Sequence, residues 1–576
     1  MVDARSTERH GPRRRSRRAL VILAAVLILA AAAGAAYVVL RGDPVSVGSA
    51  GPDPRVPARL FTEAWLAGDY RTMYSQLSPS ARKATSYGTF ARTYRRAASL
   101  ATLKTLSVEP GTRVRGSTAT VPMQMQTTMF GSLAGLLTLP LVEVKGAYKI
   151  SWAPHMVWPG LTPGEQLARV ARAPDHRGAI LARDREVLAR GPADNREYPQ
   201  GAPFYTLTGF VRAPQTAAAR RARVAAGWPA GSKYGQGGLE QSLDRALGGA
   251  PRIDLVAKGS AGTRLLARHH GRRSRDVVTT LDPTLQADAT AALAGRYGGI
   301  AILDARTGAV RASAGIAMDS TQPPGSTFKI VTASAALTAG VVDLDSYYTP
   351  AKFADVGGFK LNNFHHEVCG GTLLDSFAHS CNSVFGPVAV ATGGKQLYST
   401  AVRYGFNTPS HIAYPLPQSA MPSRTALHNP VILGVAGIGQ AGVTATPLEM
   451  GSVAQVIAGN GVMHPPWIAH YPGKFSDRRT SRRVISRAVA GKVAEMMRAV
   501  VAYGTGTAAS SALATVNGKT GTAEVGQGIK TDAWFVGYAP AEAPRVVVAV
   551  LIVHGGVGGD VAAPIARAMI DDALQQ

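Results

Sequence analysis

Apolar positions recur with two different periods in the first folded part of this chain. Between residues 58 and 100 they return every three or four positions, which is the spacing of helices with one buried face. The residues that carry this pattern are Leu60, Phe61, Ala64, Trp65, Tyr70, Met73, Tyr74, Leu77, Phe90 and Tyr94. The pattern therefore predicts three short helices, each with these side chains on one face.

From Val121 the period shortens to two. Val121, Met123 and Met125 alternate with proline and glutamine, as in a half-buried strand, and LVEVKGAYKISW predicts a further strand pair. Helices followed by strands, without alternation, predict an α+β domain over residues 58–165, preceded by a linker over residues 41–57.

Over residues 166–275 the periodicity is weak and arginine is frequent. Short extended segments such as GAILARD alternate with loops, and RLLARHHGRRSR, residues 264–275, predicts an exposed basic ribbon. We expect this region to be an irregular, β-rich pedestal that connects two domains.

Clear signals return at Asp276. Asp282 as cap and Pro283 in the first turn predict the start of a helix. The segment GGIAILDARTGAVRAS predicts a hairpin that turns at Thr307–Gly308.

The C-terminal part of the chain completes this domain. TDAWFVGYAP and RVVVAVLIVHG predict strands, and Pro564 is expected to open a final amphipathic helix. Strands at both ends of a long helical middle predict one α/β domain over residues 276–576, with an antiparallel sheet because its hairpins are local.

The N-terminus carries a targeting signal. Arginines within residues 1–18 precede Ala19–Leu40, a segment of 22 residues without charge that is long enough to cross a membrane. The arginines are expected to stay in the cytoplasm, which makes residues 19–40 a single transmembrane anchor and the remainder extracytoplasmic. A cleaved signal peptide or a twin-arginine signal are alternatives, and both also imply export.

A chain of 576 residues is too long to fold around one ordinary hydrophobic core, so more than one domain is expected. Lysine and arginine outnumber aspartate and glutamate by 62 to 36, which gives a net charge of +26. For an exported chain this excess favours anionic lipid headgroups and wall polymers over nucleic acid as partners, or a solvated basic surface.

The chain has two cysteines, Cys369 and Cys381, and an even count in an oxidising compartment favours a disulfide. The neighbouring sequence HHEVC suggests a metal site as an alternative. Adjacent histidines do not converge on a metal at helical spacing, and no second Cys/His pair has zinc-site spacing, so no metal is expected.

The most informative segment is QPPGSTFKIVTASAALTAG, residues 322–340. Gly325 allows an unusual backbone just before Ser326, and Lys329 follows one helical turn later on the same face. The small apolar residues after it predict a buried helix, and burial lowers the pKa of a lysine amine. A neutral Lys329 would be able to take the proton of Ser326 and make it a nucleophile.

Ser-x-x-Lys is short, and a second copy, SARK at Ser80–Lys83, has polar surroundings that predict a solvated surface turn. Two further motifs accompany the first copy. SCN, Ser380–Asn382, is the only Ser-x-Asn in the chain, and KTGT, Lys519–Thr522, contains the only Lys-Thr-Gly. This ordered set resembles that of penicillin-binding proteins and class A β-lactamases.

The resemblance extends over nearly the whole chain beyond Leu40. GIGQAGVTATPLEM, YGTGTAA and DAWFVGYAP add to it, and RGAILARDREVLA and GQGGLEQSLDRAL are similar to the pedestal of class B penicillin-binding proteins. The segment Trp65–Trp158 is similar to the N-terminal domain of methicillin-resistance-type transpeptidases. The resemblance implies a multidomain protein: an anchor, a small α+β domain, a pedestal and a C-terminal α/β serine transpeptidase domain.

The resemblance also implies roles for the motif residues. Ser326 would attack the bond between the last two D-alanines of a peptidoglycan stem peptide, with Lys329 as base. Ser380 would relay a proton to the leaving amine, helped by Lys519, and Asn382 would hold Lys329 and the substrate amide.

The third motif is expected to bind the substrate. Lys519 and Thr520 would face its terminal carboxylate, and Gly521 and Thr522 continue the same strand. The backbone N–H groups of Ser326 and Thr522 would form the oxyanion hole.

By the same resemblance the partners are stem peptides, β-lactams, the cell membrane and proteins of a wall-synthesis complex, with no cofactor. A D,D-carboxypeptidase side activity is also implied. The alternatives are a β-lactamase, which shares the motifs but must hydrolyse its acyl-enzyme quickly, and a non-catalytic scaffold or sensor. The sequence shows no identifiable deacylating glutamate, and no motif residue is lost.

Overall fold

The computed structural model describes residues 52–469, 480–526 and 528–576. The tail predicted at residues 1–18 and the anchor predicted at residues 19–40 lie outside this part of the chain. Among the described residues, no helix combines the length and the apolar character that crossing a membrane requires.

The chain divides into two compact units. The first ends at Ala168 and takes in Leu255–Ala267, and the second comprises Arg169–Asp254 and Arg268–Gln576. The pedestal predicted at residues 166–275 is thus not a unit of its own.

The reason is a shared hydrophobic core. Leu188, Phe204 and Leu239, from the region predicted as the pedestal, are buried in the same cluster as Leu303 and Val331 of the region predicted as the catalytic domain. Packing across the predicted boundary, which periodicity along the chain does not reveal, joins the two regions.

The first unit consists of helices followed by an antiparallel sheet, as predicted. Its α-helices are Arg55–Leu66, Tyr70–Ser75, Pro79–Ala84 and Tyr87–Ala101. The strands lie in the order Leu103–Val108, Thr118–Thr127, Gly131–Val144 and Ala147–Ile150, with Arg113–Arg115 paired to the second of these.

The first helix corrects one predicted boundary. It begins at Arg55, inside the predicted linker at residues 41–57, with Pro54 at its N-cap. Pro57 lies in the first turn, where the missing N–H has no partner within the helix, and it is buried. Pro54 and Pro57, which lie in the predicted linker, therefore belong to the start of a helix.

Aromatic side chains fill the core of this unit. Phe90 and Tyr94 are almost fully buried, and their ring centroids lie 4.9 Å apart. The Tyr94 hydroxyl accepts a hydrogen bond from Trp152 Nε1 at 3.1 Å and donates one to the carbonyl oxygen of Met156 at 3.2 Å. Burying a tyrosine without such partners would cost free energy.

The part of the second unit that precedes Asp282 has short elements. Its α-helices are Tyr205–Thr208, Ala217–Ala225, Gly238–Ser242 and Asp244–Leu247. Its small strands are Ile180–Leu181, Val187–Ala189 and Val277–Val278 in one sheet, and Phe210–Arg212 with Tyr234–Gln236 in another. A three-stranded sheet of the order Gly262–His269, Arg252–Gly259, Gln166–Arg172 belongs largely to the first unit, which includes Leu255–Ala267 and ends at Ala168.

The main sheet of the second unit has five strands, all antiparallel as predicted. Their order is Val310–Gly315, Gly298–Asp304, Val546–Ile552, Asp532–Ala539 and Asn517–Ala523. The predicted hairpin is present, with Leu303 paired to Val310 and Gly308 at a φ of 71°.

Helices cover this sheet and extend away from it. They are Pro283–Leu293, Lys329–Ala339, Leu373–Ala378, Asn382–Thr392, Gly394–Tyr404, Pro430–Gly437, Pro447–Ala458, Arg487–Ala502 and Gly558–Gln575. Short strand pairs are Tyr347–Ala351 with Cys369–Thr372, Phe353–Val356 with Phe359–Asn362, and Val462–Met463 with Arg482–Arg483. Asp282 caps the first helix as predicted, since its carboxylate accepts from the backbone N–H of Leu285.

The last helix corrects a second prediction, because it begins at Gly558 and Pro564 lies inside it. The Gly558 N–H donates to Thr522 Oγ1 at 3.3 Å. A side chain at Gly558 would collide with the carbonyl oxygens of Gly521 and Trp534. Close contact with the sheet, which only glycine allows, therefore starts this helix before its proline.

Candidate active site

Ser326 lies at the entrance of the buried helix, as its sequence context predicts. It belongs to a single 3-10 turn, Gly325–Phe328, that leads directly into the helix Lys329–Ala339. Gly325 has a φ of 51° and donates its N–H to the carbonyl oxygen of Gly439 at 3.1 Å. A left-handed residue in this turn directs the backbone so that Ser326 lines a cleft.

Lys329, the first residue of the helix that follows this turn, is fully buried. Burial and the nearby charge of Lys519 hold the pKa of the Lys329 amine well below its usual value. Its Nζ donates to the carbonyl oxygen of Ser380 at 2.6 Å and to Asn382 Oδ1 at 2.8 Å. A neutral amine has two N–H donors, so these bonds leave its lone pair for a serine proton.

Ser380 lies between the two lysines. Lys519 Nζ donates to Ser380 Oγ at 2.9 Å, and Lys329 Nζ is 3.4 Å from the same oxygen. Ser380 has a φ of 61°, a left-handed conformation that a serine rarely adopts. The loop therefore holds this hydroxyl in a defined position between two amines.

A disulfide anchors the loop that carries Ser380. Cys381, which follows it, is bonded to Cys369 and donates its backbone N–H to Ser376 at 2.8 Å. Because Cys369 is in the disulfide, it is not available to a metal, and the described residues contain no group of three or more potential ligands around a metal position.

The third motif lies on the edge strand Asn517–Ala523. Lys519 is fully buried, and burial lowers its pKa to about 7. The Thr520 hydroxyl is 2.6 Å from Thr505 Oγ1, and Thr522 Oγ1 accepts a hydrogen bond from the N–H of Gly558, the first residue of the last helix. Gly521 lies between these two threonines, so both threonines can present their hydroxyls beside the cleft.

These groups surround one cleft of about 720 Å³, which is lined by Ser326, Ser380, Asn382, Thr520 and Thr522. All three motifs, separated by up to 193 positions from Ser326 to Lys519 in the sequence, therefore meet at one place. The arrangement provides a serine, a neutral amine, a second hydroxyl between two amines, and a cation beside a strand edge.

Several residues that hold the site were not predicted. The buried Asn363 donates to Ala351 and Glu367 and accepts the N–H of Ser383, and Asn382 Nδ2 donates to the carbonyl oxygen of Asn362 at 3.0 Å. These contacts join the loop before Cys369 to the helix that begins at Asn382. The Asn-Asn pair carries no periodic signal that would identify it.

Thr505 and Gln440 also border the cleft. The Gln440 amide, oriented by its surroundings, pairs with the backbone N–H and C=O of Glu524 at 3.1 and 3.2 Å. Both residues lie in segments that carry the family resemblance, GIGQ and YGTG, but the sequence alone does not predict their contacts.

The second Ser-x-x-Lys copy is exposed, as predicted, although it forms a short helix and not a turn. Ser80 and Lys83 are solvent-exposed on Pro79–Ala84, a helix capped by Ser78 Oγ. No described residue of the other two motifs lies in this unit.

Comparison with known families identifies two regions. The family described as "Penicillin binding protein transpeptidase domain" matches residues 298–571. The family described as "NTF2-like N-terminal transpeptidase domain" matches residues 53–165.

Among curated relatives, the peptidoglycan D,D-transpeptidase PbpA of Mycobacterium tuberculosis is 35% identical over 283 residues, which is 45% of this chain and 56% of that protein. The peptidoglycan D,D-transpeptidase MrdA of Acinetobacter baumannii is 28% identical over 409 residues, 58% of this chain and 60% of that protein. The matched regions thus span somewhat more than half the length of these relatives.

Solved structures agree with the fold. A D,D-transpeptidase domain of a peptidoglycan glycosyltransferase from Eggerthella lenta is 30% identical with a TM-score of 0.57, covering 69% of this chain and 98% of that one. The penicillin G acyl-enzyme of penicillin-binding protein A from M. tuberculosis is 26% identical with a TM-score of 0.55, covering 70% and 100%.

Proposed function

Because the chain belongs to the class B penicillin-binding proteins with an NTF2-like N-terminal domain, we propose that it is a serine D,D-transpeptidase that crosslinks peptidoglycan stem peptides. The observation that carries the proposal is the position of the Ser380 hydroxyl between two buried lysines, in the cleft that Ser326 lines.

In the first step Ser326 Oγ attacks the carbonyl carbon between the two terminal D-alanines. Lys329 takes the hydroxyl proton, because its two N–H donors are engaged with Ser380 and Asn382 and its lone pair is free to accept. The backbone N–H groups of Ser326 and Thr522 stabilise the oxyanion, and a lost donor of this kind costs about 10²–10³ in rate.

In the second step the D-alanine amine leaves and needs a proton. The Ser380 hydroxyl can pass one to it and be resupplied by Lys519, which already donates to Ser380 Oγ at 2.9 Å. Protonated Lys519 and the Thr520 hydroxyl also suit the terminal carboxylate of the substrate. Asn382 positions Lys329 and faces the substrate amide.

An amine of a second stem peptide then attacks the acyl carbon and forms the crosslinking amide bond as the bond to Ser326 Oγ breaks. The amine proton passes through Ser380 Oγ to Lys519, and Lys329 returns its proton to Ser326 Oγ. Water in its place would give D,D-carboxypeptidase activity. A β-lactam would acylate the same serine and remain attached, because no leaving group departs from the site.

We extend the proposal to location and partners. The uncharged segment Ala19–Leu40 after a basic tail supports a single-pass anchor with the catalytic unit outside the cell membrane. Proteins of a wall-synthesis complex are the expected partners, and nucleic acid is not.

The test is labelling of the detergent-solubilised full chain with a fluorescent penicillin over time. Stable label that is lost in Ser326→Ala and retained in the matched control Ser80→Ala is the expected result. Label that disappears within seconds would instead indicate a β-lactamase. Absence of label, together with absence of crosslinking on a stem-peptide substrate, would indicate a scaffold.

A further inference from the structure

The second unit contains another cleft, of about 530 Å³, whose lining shares no residue with the cleft of Ser326. Its charged and titratable lining residues are Arg172, Asp175, His176, Arg252, Arg272 and Arg273. Four arginines thus face one aspartate, whereas basic residues outnumber acidic ones in the whole chain by only 62 to 36. The positive charge is concentrated here beyond the general excess.

Two backbone segments that line this cleft are hydrogen-bonded to each other. Ala250 and Arg272 exchange two backbone hydrogen bonds, at 2.8 and 3.2 Å. A side chain at Gly271 would collide with the carbonyl oxygen of Ala250, so the two segments lie as close as backbones can. The bases of Arg252, Arg272 and Arg273 are therefore held near one another without help from a ligand.

The contacts of Arg272 do not neutralise its charge. Its Nη2 donates to the carbonyl oxygens of Arg245 at 2.8 Å and Gly249 at 3.2 Å, which are neutral acceptors. These bonds orient the guanidinium through Nη2, and its Nη1 and Nε have no hydrogen-bond acceptor among the described residues. An anion-binding site requires a guanidinium that is held in one orientation and keeps its positive charge.

One carboxylate, that of Asp175, lines the cleft, and the carboxylate beside Arg252 is already engaged. Asp254 accepts two hydrogen bonds from Arg268, at 2.8 and 3.2 Å, and Arg252 Nε is 3.6 Å from it. The bond from Arg268, together with the charges of Arg252 and Arg172, lowers the pKa of Asp254. Arg252 Nε is buried and has no hydrogen-bond partner among the described residues.

We propose that this cleft, formed by Arg172, Arg252, Arg272 and Arg273, binds the phosphate groups of a phosphodiester- or pyrophosphate-bearing ligand. A guanidinium presents a planar pair of donors that matches two phosphate oxygens, and it sheds water more readily than an ammonium. The cavity is larger than one phosphate, which fits a diphosphate or a repeating phosphodiester. The site is independent of the proposed transpeptidase reaction.

The probe is inorganic pyrophosphate, titrated calorimetrically into the full chain in a neutral detergent. The triple variant Arg172→Gln, Arg252→Gln, Arg273→Gln should weaken binding at least tenfold. The control variant Arg113→Gln, Arg220→Gln, Arg221→Gln removes three exposed arginines elsewhere and should bind like the wild type. Equal affinity in all three proteins, equal losses in both variants, or no binding to the wild type would overturn the proposal.

Folding and activity are checked separately. The triple variant should melt within a few degrees of the wild type and label with fluorescent penicillin at the same rate, because none of its residues lines the cleft of Ser326. If labelling fails in every protein while pyrophosphate binding still depends on the three arginines, the proposed transpeptidase activity is wrong and the phosphate site stands.

Competition identifies the source of the phosphate. Displacement of pyrophosphate by micelles containing phosphatidylglycerol, and not by phosphatidylcholine micelles, would assign a lipid headgroup. Displacement by a soluble poly(glycerol phosphate), and not by either micelle, would assign a phosphodiester polymer. Failure of both the lipid and the polymer to displace the probe would contradict the phosphodiester assignment.

Discussion

Ser80–Lys83 and Ser326–Lys329 share the same spacing of serine and lysine but lie in different surroundings. In the first segment both side chains are exposed, and Lys83 lies in the last turn of a six-residue helix, where a cation stabilises the helix end. In the second, Lys329 is fully buried and its Nζ bonds to Ser380 and Asn382.

The difference shows what turns a short motif into a reactive group. An exposed ammonium is solvated and keeps its proton, whereas a desolvated one gives it up more easily. The serine of the second segment also has a partner loop and an edge strand that bring a second hydroxyl and a second amine to the same cleft. The spacing places serine and lysine on one face, whereas burial lowers the pKa of the lysine and long-range contacts bring the second hydroxyl and the second amine.

The largest expected effect separates the two lysines. Lys329→Met should slow acylation by fluorescent penicillin by about 10²–10⁴-fold, the usual contribution of a general base. Lys83→Met should leave the rate unchanged. Both acylation rates are to be measured by stopped-flow labelling at equal protein concentration. Comparable rates for the two variants would show that the two segments do not differ in function.

The disulfide tests how much the partner loop matters. Cys369→Ser with Cys381→Ser should slow acylation by up to about 10²-fold, because small displacements of a catalytic group are costly. The bond closes a loop with a sequence separation of 12, so its loss should also lower the free energy of unfolding by roughly 3 kcal/mol.

Two measurements separate these effects of the disulfide. Thermal melting reports the stability, and labelling at a temperature where the variant is folded reports the rate. A wild-type labelling rate in the folded variant would show that Ser380 is positioned without the disulfide.

The pH dependence tests the second amine. Acylation needs Lys519 protonated, to hold the substrate carboxylate and supply Ser380, and burial lowers its pKa to about 7. As pH rises through this value the cation is lost, so the second-order acylation rate constant should fall about tenfold per pH unit. Lys519→Arg keeps the charge and should move this alkaline limb of the pH–rate profile, in which the rate constant falls, to higher pH.

The matched control for that profile is Lys360→Arg. Lys360 is exposed and lines the same cleft, so its replacement should leave the limb where it is. A rate that stays constant through and beyond this pH in the wild type would show that the cationic form of Lys519 is not required.

The smallest effect concerns Thr505, whose contact with Thr520 only the structure reveals. Thr505→Val removes the hydroxyl that lies 2.6 Å from Thr520 Oγ1. Loss of one neutral hydrogen bond, about 1 kcal/mol, should slow acylation roughly fivefold. Thr505→Ser keeps the hydroxyl and should restore most of the rate, and a Val variant as fast as the wild type would show that Thr520 needs no such partner.

Local signals predicted much of the fold. The aromatic spacing around Phe61 and Tyr94, the strand at Val121 and the cap at Asp282 all act within a few residues, so the sequence alone reveals them. Proline was a poorer guide: Pro57 lies in the first turn of a helix and Pro564 lies inside one. Pro57 follows the preference of proline for the first helical turn, whereas the close contact of Gly558 with the sheet starts the last helix before Pro564.

The three motifs and their order were readable from the sequence, since they depend on residue identity. What only the tertiary structure decided is their geometry: Lys519 meets Ser380 across 139 positions, and Asn363 joins its loop to the helix that begins at Asn382. The grouping of residues 169–254 with the catalytic region was also decided there. The physical reason is that periodicity and capping act within one helix or strand, whereas burial, sheet order and loop contacts arise between elements that are distant along the chain.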